Sequence, residues 1–82
     1  MEAQMFCKDA KPRDTIRIIR SILKRARFDV REYSWKHPVP HVWSVHVREQ
    51  ACPQLCANGK GSCRELALAS ALAEFMERLN TG

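Results

Sequence analysis

No apolar run in this sequence comes near the roughly 20 residues that a membrane span requires. The opening MEAQMFCKDA lacks the basic start and apolar core of an export signal. Both absences place the chain with cytoplasmic proteins that make no use of a membrane. There is no repeat, no linker and no low-complexity stretch. With 45% hydrophobic and 28% charged residues the composition is globular, which excludes a disordered chain. Eighty-two residues make a single small domain, and a chain of that size buries only about 60–65% of the surface it exposes when unfolded.

Metal-ligand pairs are also scarce. The four cysteines, Cys7, Cys52, Cys56 and Cys63, read as free thiols in a chain without an export signal. Cys52 and Cys56 have a spacing that zinc pairs use, with His37, His41 and His46 nearby, but no second compact pair follows. If residues 52–56 are extended, their sulfurs lie about 13 Å apart, too far for one ion. A P-loop is missing too, because position 54 is Gln where that motif needs glycine.

What is present is a basic excess, +5 at neutral pH, which makes a polyanionic partner plausible without requiring one. Pro12, Asp14 and the stripe Ile16, Ile19, Ile22, Leu23 and Ala26 predict a helix over 12–27. Its other side carries Arg13, Arg17, Arg20, Lys24 and Arg27, a solvated face or a track for phosphates. Residues 28–35 read as a strand whose apolar phase slips between Val30 and Tyr33. Two prolines at 38 and 40 then break any regular pattern. Residues 42–48 alternate cleanly, with Trp43, Val45 and Val47 on one side and Ser44, His46 and Arg48 on the other. Residues 55–57 read as a short third strand and 62–80 as a second helix. The order α-β-β-β-α predicts an α+β domain, a short antiparallel sheet with two helices on one face.

Between the last strand and the second helix, Asn58-Gly59-Lys60-Gly61-Ser62 reads as a flexible basic turn. Ser62 and Glu65 have the spacing of a capping box, and glycines with a lysine before a helix make an anion site. On a helical wheel, Leu68, Leu72, Phe75, Met76 and Leu79 form a core stripe. Opposite fall Cys63, Ala67, Ser70, Glu74, Glu77 and Arg78. A face of small residues with two carboxylates suits something lying close against it. Glu74 and Glu77, spaced i and i+3, stand about 5–6 Å apart at Cβ and can hold Mg²⁺. Glu74 with Arg78 is equally a good i,i+4 surface pair.

These residues carry a resemblance. "NGKG" followed by "ELALASALAEFMERL", with "SWKHPVPHVWSVHVRE" and "CKDAKPRDTI" upstream, resembles the YcaO family along essentially the whole chain. YcaO proteins are ATP-dependent enzymes that activate backbone amides by phosphorylation, and the bacterial type is regarded as an accessory factor for methylthiolation of a ribosomal protein. The resemblance implies that Lys8 and Thr15 contact ATP phosphates and that Glu74 and Glu77 are Mg²⁺ ligands. It places Lys60 and the glycine turn close by as a cofactor-binding element. Family members have Ser where this chain has Thr15, which keeps the hydroxyl. Members are several hundred residues long, so the chain is expected to be an N-terminal fragment, inactive alone. Its small-residue helix face would await the missing part, a ribosomal protein or peptide being the substrate, or would serve self-association. The rival reading is a double-stranded RNA-binding domain, which shares the α-β-β-β-α order and a Gly-x-Gly-Ser before an alanine-rich helix. Against it, Cys63-Arg64-Glu65 stands where that family has paired lysines.

Overall fold

The structure, a computed structural model, describes residues 11–81. They run α1 (Lys11–Arg25), β1 (Val30–Val39), β2 (Val42–Glu49), β3 (Cys56–Gly61) and α2 (Arg64–Thr81). The strands form an antiparallel sheet in the order β1-β2-β3. A single core joins Leu23 of α1, Val30, Val45, Val47 and Ala57 of the sheet, and Ala67, Ala71, Leu72 and Phe75 of α2. Both helices therefore cover one face of the sheet, as the pattern of the chain predicts.

In α1, Pro12 is buried in the first turn, where its missing N–H removes no intrahelical bond. Ile16, Ile19 and Leu23 pack on the core, but Ile22 and Ala26 are exposed, so the apolar stripe is narrower than its sequence suggests. The helix ends two residues earlier than expected, and its end has a defined geometry. The N–H of Phe28 donates to the Leu23 carbonyl at 2.9 Å and that of Arg27 to the Lys24 carbonyl at 3.0 Å. This is a Schellman motif, with Arg27 at φ 69° in the left-handed position that usually falls to glycine. Phe28 follows it into the core and meets the Phe75 ring edge-on at 6.3 Å.

β1 is longer than predicted. A register shift between Glu32 and Ser34 absorbs the slipped apolar phase at Tyr33, and a second between Lys36 and Val39 absorbs Pro38. The strand turns at Pro40 and His41, with His41 at φ 67°, matching a type II turn with proline at its first central position. β2 alternates as predicted, and Val45 and Val47 are fully buried.

The third strand departs most from expectation. Asn58 to Gly61 is not a turn: it is the body of β3, paired residue for residue with β2 from Arg48↔Cys56 to Trp43↔Gly61. Neither Gly59 nor Gly61 has a positive φ. Their glycine character serves distance instead. A Cβ built on Gly59 would stand 2.2 Å from the Ala71 nitrogen and 2.3 Å from the Ala67 oxygen. One on Gly61 would stand 2.6 Å from the Ala67 nitrogen. The backbone of α2 thus rests directly on the backbone of β3, and Ala67 and Ala71 are fully buried in that contact. Ala67 and Cys63, read on the wheel as outward, belong to the interior. The helix has two adjoining buried sides, small residues against the sheet and large ones against α1.

Residues 50–55 turn over the end of the sheet. Residues 52–56 are not extended, since the Leu55 N–H donates back to the Cys52 carbonyl at 2.9 Å. The buried Glu49 carboxylate organises the turn, accepting the N–H of Asp29 at 3.0 Å, of Ala51 at 2.7 Å and of Cys52 at 2.8 Å. Cys52 and Cys56 are free thiols, whereas Cys63 is disulfide-bonded and departs from the reading of all four as free.

Four outcomes follow for stability. Gly59→Ala should cost at least about 2–3 kcal/mol, because only a movement of α2 off the sheet relieves the clash. Exposed Lys60→Ala beside it should stay within about 0.5 kcal/mol, as denaturant unfolding will show. Arg27→Gly should raise stability by about 1 kcal/mol by removing the left-handed penalty of a side chain. Three donated N–H groups, the Asp29 one foremost, hold the Glu49 carboxyl below its usual pKa against the opposing effect of burial. Its contribution is therefore complete above the ordinary carboxylate pKa and is lost as pH falls through the lowered folded value. Acid unfolding of Glu49→Gln should lack that component.

Candidate functional site

The outward side of α2 runs along Leu66, Ser70, Ala73, Glu74 and Glu77, all exposed. It is small and nearly flat because the large apolar residues are used inward, and only Leu66 stands out, at 41% exposure. Glu74 and Glu77 project from adjacent positions near its C-terminal end. The Arg78 guanidinium reaches Glu74 at 3.7 Å, the i,i+4 pair that the sequence predicts. Two exposed carboxylates about one turn apart fit a hard cation that keeps most of its waters. They supply two oxygens donors of a shell, and among the described residues no group of three or more His, Cys, Asp or Glu gathers as a metal site.

The other expected contacts divide between faces. Thr15 is half-buried at the start of the second turn of α1, the helix that packs against α2. Lys8 lies outside the described residues. Lys60 is the clearest displacement. Strand alternation turns Gly59 and Gly61 toward α2 and Lys60 the opposite way, onto the open side of the sheet beside Ser44, His46 and Asn58. The sheet therefore stands between Lys60 and the Glu74–Glu77 pair, and the expected closeness of the two does not occur.

At its start, α2 is not capped as expected. The Cys63 carbonyl accepts the first intrahelical bond, from Ala67 at 3.1 Å, which makes Cys63 and not Ser62 the N-cap. The Ser62–Glu65 box is absent, and Oε1 of Glu65 is buried without a hydrogen-bond partner. In place of an anion site there is an aromatic cluster that sequence reasoning missed. His37 stacks on Trp43 at 3.8 Å, Trp43 meets Trp35 edge-on at 6.3 Å, and the Arg64 guanidinium lies 4.1 Å from the Trp35 ring centre. The alternation of Trp43 and the phase slip before Trp35 hold the signal, but their meeting depends on the bulge between them.

The basic side of α1 is partly spent within the molecule. Arg17 pairs with Asp14 at 2.8 Å and Arg20 with Glu32 at 2.7 Å. At the start of α2, where a duplex-RNA binder presents lysines to phosphates, Arg64 is laid on tryptophan. The domain shares the element order of that rival and lacks its phosphate clamp.

An α-β-β-β-α unit with a one-sided sheet and an outward carboxylate pair on its last helix is the class of structure defined so far. Comparison with known proteins makes it specific: the chain is homologous to the N-terminal segment of YcaO proteins. It is 47% identical over 74 residues, 90% of its length, to the ribosomal protein S12 methylthiotransferase accessory factor YcaO of Escherichia coli. It is 50% identical over 74 residues, again 90% of its length, to an uncharacterized protein of Haemophilus influenzae. In each case it spans only 13% of the relative's length. No family model matches the chain. No helix among the described residues is long and apolar enough to cross a membrane.

Proposed function

We propose that this chain is the N-terminal part of the ATP-binding domain of a YcaO-type cytoplasmic protein, one that activates backbone amides or assists ribosomal protein methylthiolation. The observation that carries this reading is the 47% identity with the YcaO accessory factor across 90% of the chain. Glu74 and Glu77 hold Mg²⁺ from the outer side of α2, and Thr15 with Lys8 addresses the phosphates of ATP. When bound, the ion neutralises phosphate charge and so favours transfer to an amide oxygen. Lys60 is left out of this set, because its side chain is on the opposite face of the sheet. The rest of the nucleotide site, and the site for a ribosomal protein or peptide, are assigned to the part of such a protein that this chain does not span. That part covers the small-residue side of α2, where Leu66, Ser70 and Ala73 admit a close neighbour; in the chain alone the same side serves self-association.

The chain alone should release phosphate from ATP no faster than its Glu74→Ala variant. Within a full-length protein carrying this segment, Glu74→Gln and Glu77→Gln should each lower ATP turnover on the order of a hundredfold. Lys60→Ala should leave it unchanged. Turnover by the isolated chain, or full activity in both Gln variants, would remove the assignment.

A further inference from the structure

The face of the sheet turned away from both helices carries a chemistry that nothing above uses. Register aligns it in cross-strand rows: Lys36–Ser44–Lys60, then Ser34–His46–Asn58, then Arg31–Arg48–Cys56. The first two rows and Arg48 line a shallow groove of about 650 Å³. Three permanent cations line it, Lys36, Arg48 and Lys60, and no carboxylate does. The acids of the neighbouring backbone are committed elsewhere. Glu32 holds Arg20 and the Trp35 indole N–H, Glu49 is buried under three backbone N–H groups, and Asp29 pairs with Arg31. Among the described residues neither Lys36 nor Lys60 has an ion-pair partner.

The geometry of the rows narrows the occupant. Adjacent strands lie about 4.8 Å apart, so the two lysines flank the Ser44 hydroxyl from strands about 10 Å from one another. That spacing suits a phosphodiester backbone crossing the sheet. Beyond it, the groups are planar. The Arg48 guanidinium carbon lies over the Tyr33 ring, 4.2 Å from its centre, and the Arg48 Nε is buried and unpartnered. The His46 ring is fixed by a 2.7 Å hydrogen bond between its Nδ1 and the Asn58 Oδ1. Imidazole rings and guanidinium planes are surfaces on which unpaired bases stack, while Ser, Asn and His offer donors and acceptors to base edges and 2′-hydroxyls. A three-stranded face is too narrow for a duplex, and an acidic peptide would engage only the cations, leaving the stacked ring and guanidinium planes without a role.

We propose that this open face binds single-stranded RNA, a run of about three or four nucleotides. The Lys36–Ser44–Lys60 row holds the backbone, and His46 and Arg48 carry the bases. The site is independent of the nucleotide site proposed above, being on the other side of the sheet.

The test is fluorescence anisotropy of a labelled oligouridylate with the 82-residue chain, across a range of salt. Lys36→Ala/Lys60→Ala should bind about tenfold more weakly and lower the salt slope by about 1.4, two phosphates at about 0.7 each. His46→Ala should weaken binding about fivefold with the slope unchanged. Arg13→Ala/Arg17→Ala on α1 should bind like the parent. All these side chains are exposed or half-exposed, and circular dichroism will confirm that the variants fold. No binding by the parent would overturn the proposal, as would an equal loss in the α1 variant. Duplex RNA or polyglutamate binding more tightly, with the same dependence on Lys36 and Lys60, would assign the face to those partners instead.

Discussion

The contact on which the rest depends is the seating of α2 on β3, backbone against backbone. With hydrogen in place of a methyl at Gly59, the helix axis comes close enough for Ala67 and Ala71 to fill the whole interface. That approach positions Phe75 and Leu72 to close the core against α1. It also decides which residues are left outside. Once Ala67 and Ala71 face the sheet, and Leu72, Phe75 and Met76 lie on the core side, the arc through Leu66, Ser70, Ala73, Glu74 and Glu77 remains for solvent or for a partner. A small domain has few such constraints to rely on, because its buried surface is limited. Here two glycines and two alanines replace the bulk that a larger core would use.

The same contact divides the chemistry of the chain. Strand alternation forces Lys60 away from whichever side Gly59 and Gly61 occupy. Glu74 and Glu77 end up beyond the helices and Lys36 and Lys60 beyond the sheet, with the hydrophobic core between them. A basic Gly-Lys-Gly segment followed by a helix invites the reading of one composite phosphate site; the fold makes two separate surfaces of it. One carries a pair of acids suited to a hydrated cation, and the other an acid-free row of cations.

Much of this was legible in the residues. The period of β2 and the apolar stripes of both helices are local signals, and they predict the element order and the one-sided sheet. Phase slippage around Tyr33 was visible, but neither the bulge behind it nor the continuation of the strand from residue 35 to Val39 could be read from it. The β3 segment was not legible, because glycine and asparagine are poor strand formers and the reason for glycine there lies in a helix some ten residues away. The wheel of α2 failed for a related cause. A single apolar stripe was sought, whereas alanines against glycines make a second buried side without large residues. Glu65 was misread as part of a cap because Cys63, not Ser62, begins the helix. The exposure of Glu74 and Glu77 on one side of the helix was legible, since an i,i+3 pair of charged residues needs no tertiary context.

The measurement that bears most directly on this account is the pattern of proton nuclear Overhauser effects from Gly59 in solution. Close helix-on-strand seating predicts strong cross-peaks from the Gly59 α-protons to the amide of Ala71 and to Ala67, together with slow amide exchange through β3. Absence of those cross-peaks, with rapid exchange from Asn58 to Gly61, would restore the flexible basic turn. It would also return Lys60 to the side of the helix that carries Glu74 and Glu77.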